Sequence, residues 1–115
     1  MNESNNLTIA QTFYTKMGEK KVANMEAYLH PELHFIAPFS EIKGKEVYLE
    51  TVEKFTSAFK SLTIRTLFAS GDQVMLVYDL DFPAPIGNIP SAALMTFKEG
   101  LIAKIELFYD SHPFR

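Results

Sequence analysis

Helix-spaced apolar residues run as far as Phe59, and beyond Ser61 the chain alternates with the two-residue period of β-strands. Ile9, Phe13 and Met17 recur at i, i+4 and i+8, after N-cap candidates in Ser4 to Asn6 and before a stop at Gly18. Val22, Met25 and Leu29 continue the spacing in a second, short helix that Pro31 closes. Tyr48, Val52, Phe55 and Phe59 form the stripe of a third helix behind Gly44. Between these helices, residues 33–38 read as a strand with Leu33, Phe35 and Ala37 on one face, and residues 40–43 as a loop. Residues 62–70, 73–82, 91–99 and 101–110 read as four further strands. Gly71-Asp72 and Glu99-Gly100 are tight-turn signals, and the proline-rich residues 83–90 form a longer loop. Helices first and antiparallel strands after is an α+β order. The expected architecture is three N-terminal helices on the concave side of one strongly bent, mostly antiparallel sheet, enclosing an apolar pocket.

At 115 residues the chain suits a single domain, residues 1–115. Ten Phe and five Tyr with no Trp mean that rings fill much of the interior. The net charge of −3, with no basic run longer than Lys20-Lys21, argues against nucleic acid and against an anionic membrane surface. Without cysteine there is no disulfide, thiolate nucleophile or thiolate metal site. The start, Met-Asn-Glu-Ser-Asn-Asn, has no apolar signal core, and no apolar stretch is long enough to span a bilayer. A soluble cytoplasmic protein is the default expectation.

Several local patterns carry a resemblance. Phe13-Tyr14-Thr15-Lys16-Met17-Gly18-Glu19 looks like a first helix with a Gly-acidic ending, and Tyr28-Leu29-His30-Pro31-Glu32-Leu33-His34-Phe35 like a second helix running into a strand. Phe97-Lys98-Glu99-Gly100-Leu101-Ile102 looks like a last hairpin, and Phe108-Tyr109-Asp110 like the end of its second strand. Together with Gly44 and the closing Asp110-Ser111-His112-Pro113-Phe114, they make the chain resemble the nuclear-transport-factor-2-like superfamily, with its SnoaL-like and ketosteroid-isomerase-like branches. The resemblance implies a cone-shaped α+β roll of the cystatin-like kind. It does not imply one function, because the fold hosts isomerases, cyclases, hydrolases, dehydratases and non-catalytic binders.

The steroid isomerases of that superfamily use a tyrosine, an aspartate base and a protonated aspartic acid. The resemblance puts these roles at Phe13 (with Tyr14 beside it), Ala37 and Met95. Ala and Met carry no transferable proton, so that mechanism is rejected here. There is no Gly-rich phosphate loop or nucleophile-elbow motif, and no cofactor is expected. His30 and His34 lack a clear third ligand, so no metal site is assigned, and His112 beside Asp110 is a pocket-mouth or plain surface residue.

The strand from Val74 to Phe82 is the unusual one. Met75, Val77, Asp79 and Asp81 share one face; Leu76, Tyr78, Leu80 and Phe82 share the other. Asp is disfavoured inside strands, and the resemblance implies that the Asp face lies toward the pocket. On that reading Asp79 is the acid-base or ligand-orienting residue, Asp81 sits at the entrance, and Tyr14 and Tyr109 assist. The plain alternative pairs Asp79 with a backbone amide or with Arg65 and leaves Asp81 in water. The pocket lining is expected to include Phe13, Tyr14, Met17, Tyr28, Phe35 and Phe55 from the first half of the chain. Val77, Asp81, Met95, Phe97, Leu107 and Tyr109 complete it. Three functions stay open: an acid-base enzyme of the SnoaL-like kind, a non-catalytic binder of a small apolar molecule, and an assembly module. A homodimer is expected through the outer sheet face, assigned to Leu76, Tyr78, Leu80 and Phe82.

Overall fold

The computed structural model describes residues 3–114; Met1, Asn2 and Arg115 lie outside them. Helix α1 (Glu3–Gly18) and helix α2 (Lys45–Thr56) frame two 3-10 turns, Val22–Asn24 and Glu26–Tyr28. The strands are β1 (Leu29–Ala37), β2 (Ser40–Lys43), β3 (Ser61–Ser70), β4 (Gln73–Asp81), β5 (Asn88–Lys98) and β6 (Leu101–Tyr109), followed by a 3-10 turn at His112–Phe114. They form one sheet in the order β2-β1-β6-β5-β4-β3, antiparallel except where β1 runs parallel to β6. The fold is therefore α+β with a mostly antiparallel curved sheet, as the periodicities indicate.

Register shifts bend the sheet. They fall between Ile64 and Thr66 on β3, between Thr96 and Phe97 on β5, and between Leu29 and His34 on β1. An extra residue on one strand of a pair increases the local twist and curls the ladder. Glu99 (φ 55°) and Gly100 (φ 79°) both take positive φ between β5 and β6, the signature of a tight primed turn. α1 packs on β3 and β4, and α2 on β1, so both helices cover the same face of the sheet. The buried apolar residues form one cluster from Ala10, Phe13 and Met25 through Leu76, Met95 and Ile105.

The helical and strand boundaries differ from expectation in several places. The second helix is a pair of 3-10 turns, because Val22, Met25 and Tyr28 recur every three residues, the repeat of that tighter helix. β1 begins at Leu29, so Pro31 lies within the strand instead of closing a helix. Residues 40–43 are strand β2, paired with β1 from Ala37↔Ser40 to His34↔Lys43. Ser4 to Asn6 lie inside α1 and do not precede it.

Candidate functional site

The helices and the sheet enclose a cavity of about 430 Å³. Tyr14 and Met17 of α1 enter it from one side, and Tyr48, Val52 and Phe55 of α2 from another. Phe35 and Ala37 of β1, Tyr78 and Leu80 of β4, Ile89 and Ser91 of β5, and Leu107 and Tyr109 of β6 make its floor. Phe39, Ser40, Phe82 and Phe114 also border it. The strands supply alternate residues because one face of each points inward. Among the described residues, no Asp, Glu, His, Lys or Arg lines it.

Its polar groups are mainly phenols. The ring of Tyr14 lies 5.1 Å from that of Tyr78, and their hydroxyls share a hydrogen bond. Tyr48 stacks on Phe13 at 6.5 Å and tilts against Phe35 at 5.1 Å. Burial pushes the Tyr14, Tyr48 and Tyr78 hydroxyls above the usual phenol range, since an anion there would lose its hydration. The Tyr109 hydroxyl is raised by partial burial as well. These groups are neutral donors and acceptors at any ordinary pH. Ser91, also buried, donates its hydroxyl to the Ile89 carbonyl at 3.2 Å.

Asp79 lies outside this cavity. It pairs with Arg65 on neighbouring β3, its Oδ2 3.4 Å from the Arg65 Nε, on the face of β4 opposite the lining. The parity of β4 is thus the reverse of the family-based expectation. Leu76, Tyr78, Leu80 and Phe82 are the inward residues, at most 5 % exposed, while Met75, Val77, Asp79 and Asp81 face out. Both halves of this strand are largely apolar, so a period of two groups the residues without saying which group points inward. Two consequences correct the sequence reading. Asp79 is not among the residues that line the cavity, and the strip assigned to a dimer interface lies under the helices.

Of the expected lining, Tyr14, Met17, Phe35, Phe55, Leu107 and Tyr109 do border the cavity. Phe13, Met95 and Phe97 are instead packed within the filled core, and Tyr28 lies on the second 3-10 turn. Val77 and Asp81 share the outward face of Asp79. Tyr48 and Tyr78, with Ser40, Thr51 and Ser91, are polar lining residues that the sequence reading did not place in the pocket, Tyr78 having been assigned to the outer face. A phenol in the middle of an apolar face was the available signal, since a buried hydroxyl needs a partner. The Ala37 position retains its place in the cavity wall but offers only a methyl group.

The histidines are engaged elsewhere. His34 Nε2 lies 2.6 Å from Glu41 Oε2, and this contact holds the Glu41 carboxyl below its usual range. His30 accepts the Glu32 backbone N–H at Nδ1 and lies 3.8 Å from Glu99. His112 donates its backbone N–H to the Asp110 carboxylate at 3.0 Å. No group of three or more metal-ligating side chains occurs among the described residues, and no helix there is long and apolar enough to cross a membrane.

Residues 10–105 match the family model of the SnoaL-like domain. The chain belongs to the SnoaL-like domain family. Solved structures agree on the fold. A nuclear-transport-factor-2-like protein of unknown function from Cytophaga hutchinsonii is 22% identical, with a TM-score of 0.82 over 92% of this chain and 90% of its own. A candidate ketosteroid isomerase from Kribbella flavida is 16% identical, with a TM-score of 0.81 over 94% and 79%. A candidate SnoaL-like polyketide cyclase from Jannaschia sp. is 14% identical, with a TM-score of 0.82 over 94% and 87%. No curated protein matches the sequence. At these identities the likeness concerns the SnoaL-like fold and not its chemistry.

Proposed function

We propose that this SnoaL-like domain is a non-catalytic binder of a small, uncharged, apolar molecule that carries a neutral oxygen. The supporting observation is a cavity of about 430 Å³ whose lining, among the described residues, contains phenols but no carboxylate, imidazole, amine or guanidinium. That volume is within the range of small-molecule sites. General acid-base catalysis near neutral pH needs a group that can change protonation there. The buried tyrosines are shifted away from neutrality, so they serve as fixed hydrogen-bonding groups. A charged ligand would lose its hydration and find no counter-charge. Tyr14 and Tyr78 sit at the buried end, and a ketone, ether or hydroxyl oxygen would meet them there. Nile red, a neutral apolar dye, tests the reading. It should bind with a blue-shifted, enhanced emission, and Ala37→Phe, which fills the cavity, should weaken binding about tenfold or more without changing the circular dichroism. Equal binding to both proteins would place the dye elsewhere and remove the support.

We also infer a homodimer through the outward sheet face, with a different set of residues from those first assigned. The β3-β4-β5 register aligns Phe68 with Met75 and Leu94, and the next row aligns Val77 with Ala92 and Phe108. Phe68 is 64% exposed and Phe108 50%. A contiguous apolar patch of this kind is covered most simply by its own copy about a two-fold axis.

A further inference from the structure

We infer that the Tyr48 hydroxyl is the specificity-determining donor of the cavity, and that the polar group it selects is a carbonyl oxygen. The assignment rests on the binding reading above and narrows its ligand from any neutral oxygen to that of a ketone, ester or amide. Tyr48 borders the cavity and is only 2% exposed. Among the described residues, no hydrogen-bonding partner meets its hydroxyl. Nor is that hydroxyl sealed in the core. Among the described residues, the side-chain polar atoms that lack both a partner and open space are those of Asn6. The open space that Tyr48 borders is the cavity. A buried donor without a partner costs free energy until it is paired, so a ligand acceptor gains most by meeting it.

Other hydroxyls of the wall are already engaged. Tyr14 and Tyr78 share a hydrogen bond, which uses one of their two protons. Ser91 donates to the Ile89 carbonyl at 3.2 Å, and Thr51 donates to the Val47 carbonyl at 3.0 Å. Of these five hydroxyls, that of Tyr48 is the one with no bond in the protein. Its ring is nonetheless firmly placed. It stacks on Phe13 of α1 at 6.5 Å and tilts against Phe35 of β1 at 5.1 Å, and its backbone N–H bonds the Gly44 carbonyl at 3.2 Å. The donor is therefore oriented before a ligand arrives, and little side-chain freedom is lost on binding. Burial keeps the phenol protonated, so it acts as a donor. A carbonyl oxygen accepts that proton and brings none of its own. An alcohol brings a second proton, which would need a further acceptor in a mostly apolar wall.

Calorimetric titration with 2-acetylnaphthalene and 2-isopropenylnaphthalene, in which a methylene replaces the carbonyl oxygen, reads the selection. In Tyr48→Phe the preference for the ketone over the hydrocarbon should fall about fivefold or more, with the Kd of the hydrocarbon changing less than about twofold. An unchanged preference, or an equal loss for both ligands, makes Tyr48 a contact of shape alone and overturns the assignment. In the parent protein 1-(2-naphthyl)ethanol should bind less tightly than the ketone; equal or tighter binding overturns the carbonyl class. A second measurement needs no ligand. Because the hydroxyl has no partner in the fold, Tyr48→Phe should unfold in urea at a midpoint no lower than that of the parent. A lower midpoint gives the hydroxyl a partner within the protein and overturns the assignment whether or not a ligand binds. If neither the naphthalenes nor Nile red bind the parent protein, the binding reading falls and the role of Tyr48 with it.

Discussion

Tyr14, Tyr48 and Tyr78 bring hydroxyl groups into the interior, and the cost of burying them sets a testable pH dependence. Each is held protonated above the pH at which a free phenol ionises, because burial disfavours the anion. The folded state therefore binds more protons than the unfolded state above pH 10, and stability falls as pH rises from there. Their contribution is fully present below pH 10 and declines by about 1.4 kcal/mol per pH unit for each phenol that stays protonated. Urea unfolding between pH 9 and 11 should show this slope, and Tyr14→Phe should make it shallower. Asn6 is a different kind of buried polar residue. It is fully buried on α1, and neither its amide nitrogen nor its oxygen meets a hydrogen-bonding partner among the described residues. An unsatisfied buried group costs about 1–3 kcal/mol, so Asn6→Leu, of similar volume, should raise the urea midpoint by an amount worth about 1–2 kcal/mol at unchanged slope. Asp79, half the partner of an outward ion pair with Arg65, should matter little. Asp79→Asn should leave Nile red binding unchanged and cost less than about 1 kcal/mol in urea unfolding.

Strand β4 decides where the cavity lies, and its two faces can be told apart by one pair of substitutions. Leu76 is fully buried, whereas its neighbour Val77 is on the outward face. A carboxylate at Leu76 has no partner in the core, so Leu76→Asp should cost more than about 4 kcal/mol and leave little folded protein. Val77→Asp should fold, with a loss nearer 1 kcal/mol. Circular dichroism and urea unfolding of the two variants check this directly. The same strand marks the limit of what could be read from the residues. Alternation along β4, the turns at Gly71-Asp72 and Glu99-Gly100, and the stripe of α2 from Tyr48 to Phe55 follow from local chemistry and appear where expected, whereas α2 ends at Thr56, short of Phe59, and β5 starts at Asn88, inside the loop expected at residues 83–90. The inward face of β4 does not follow, because Met75 and Val77 are as apolar as Leu76 and Leu80, and only packing under α1 and α2 separates them. The helical segment before β1 was ambiguous for a similar reason, since Val22, Met25 and Tyr28 suit a repeat of three nearly as well as 3.6. Tyr14, Phe35 and Phe55 were legible as wall residues because they lie on elements whose inward face is unambiguous. Tyr78 was not, because its strand was assigned the wrong way round.

At the scale of the molecule, the sheet has one face under helices and one face to cover. The outward ladder of Phe68, Met75 and Leu94 beside Val77 and Phe108 is the proposed contact between two copies. Light scattering should report a dimer at micromolar concentration, and Val77→Asp, which keeps the fold, should shift it to monomer. A monomeric parent protein would remove that proposal and leave the cavity unaffected. The bend of the sheet, set by its register shifts, makes room for the cavity between β1, β4, β5 and β6 and the two helices. Its contents are apolar side chains and neutral phenols, so it should discriminate on ligand charge more sharply than on ligand shape. Calorimetric titration with a matched pair, 2-acetylnaphthalene and 2-naphthoate at pH 7, measures that discrimination. The neutral ketone should bind about tenfold or more tightly than the carboxylate, and binding of the carboxylate as tight or tighter would contradict a charge-excluding cavity.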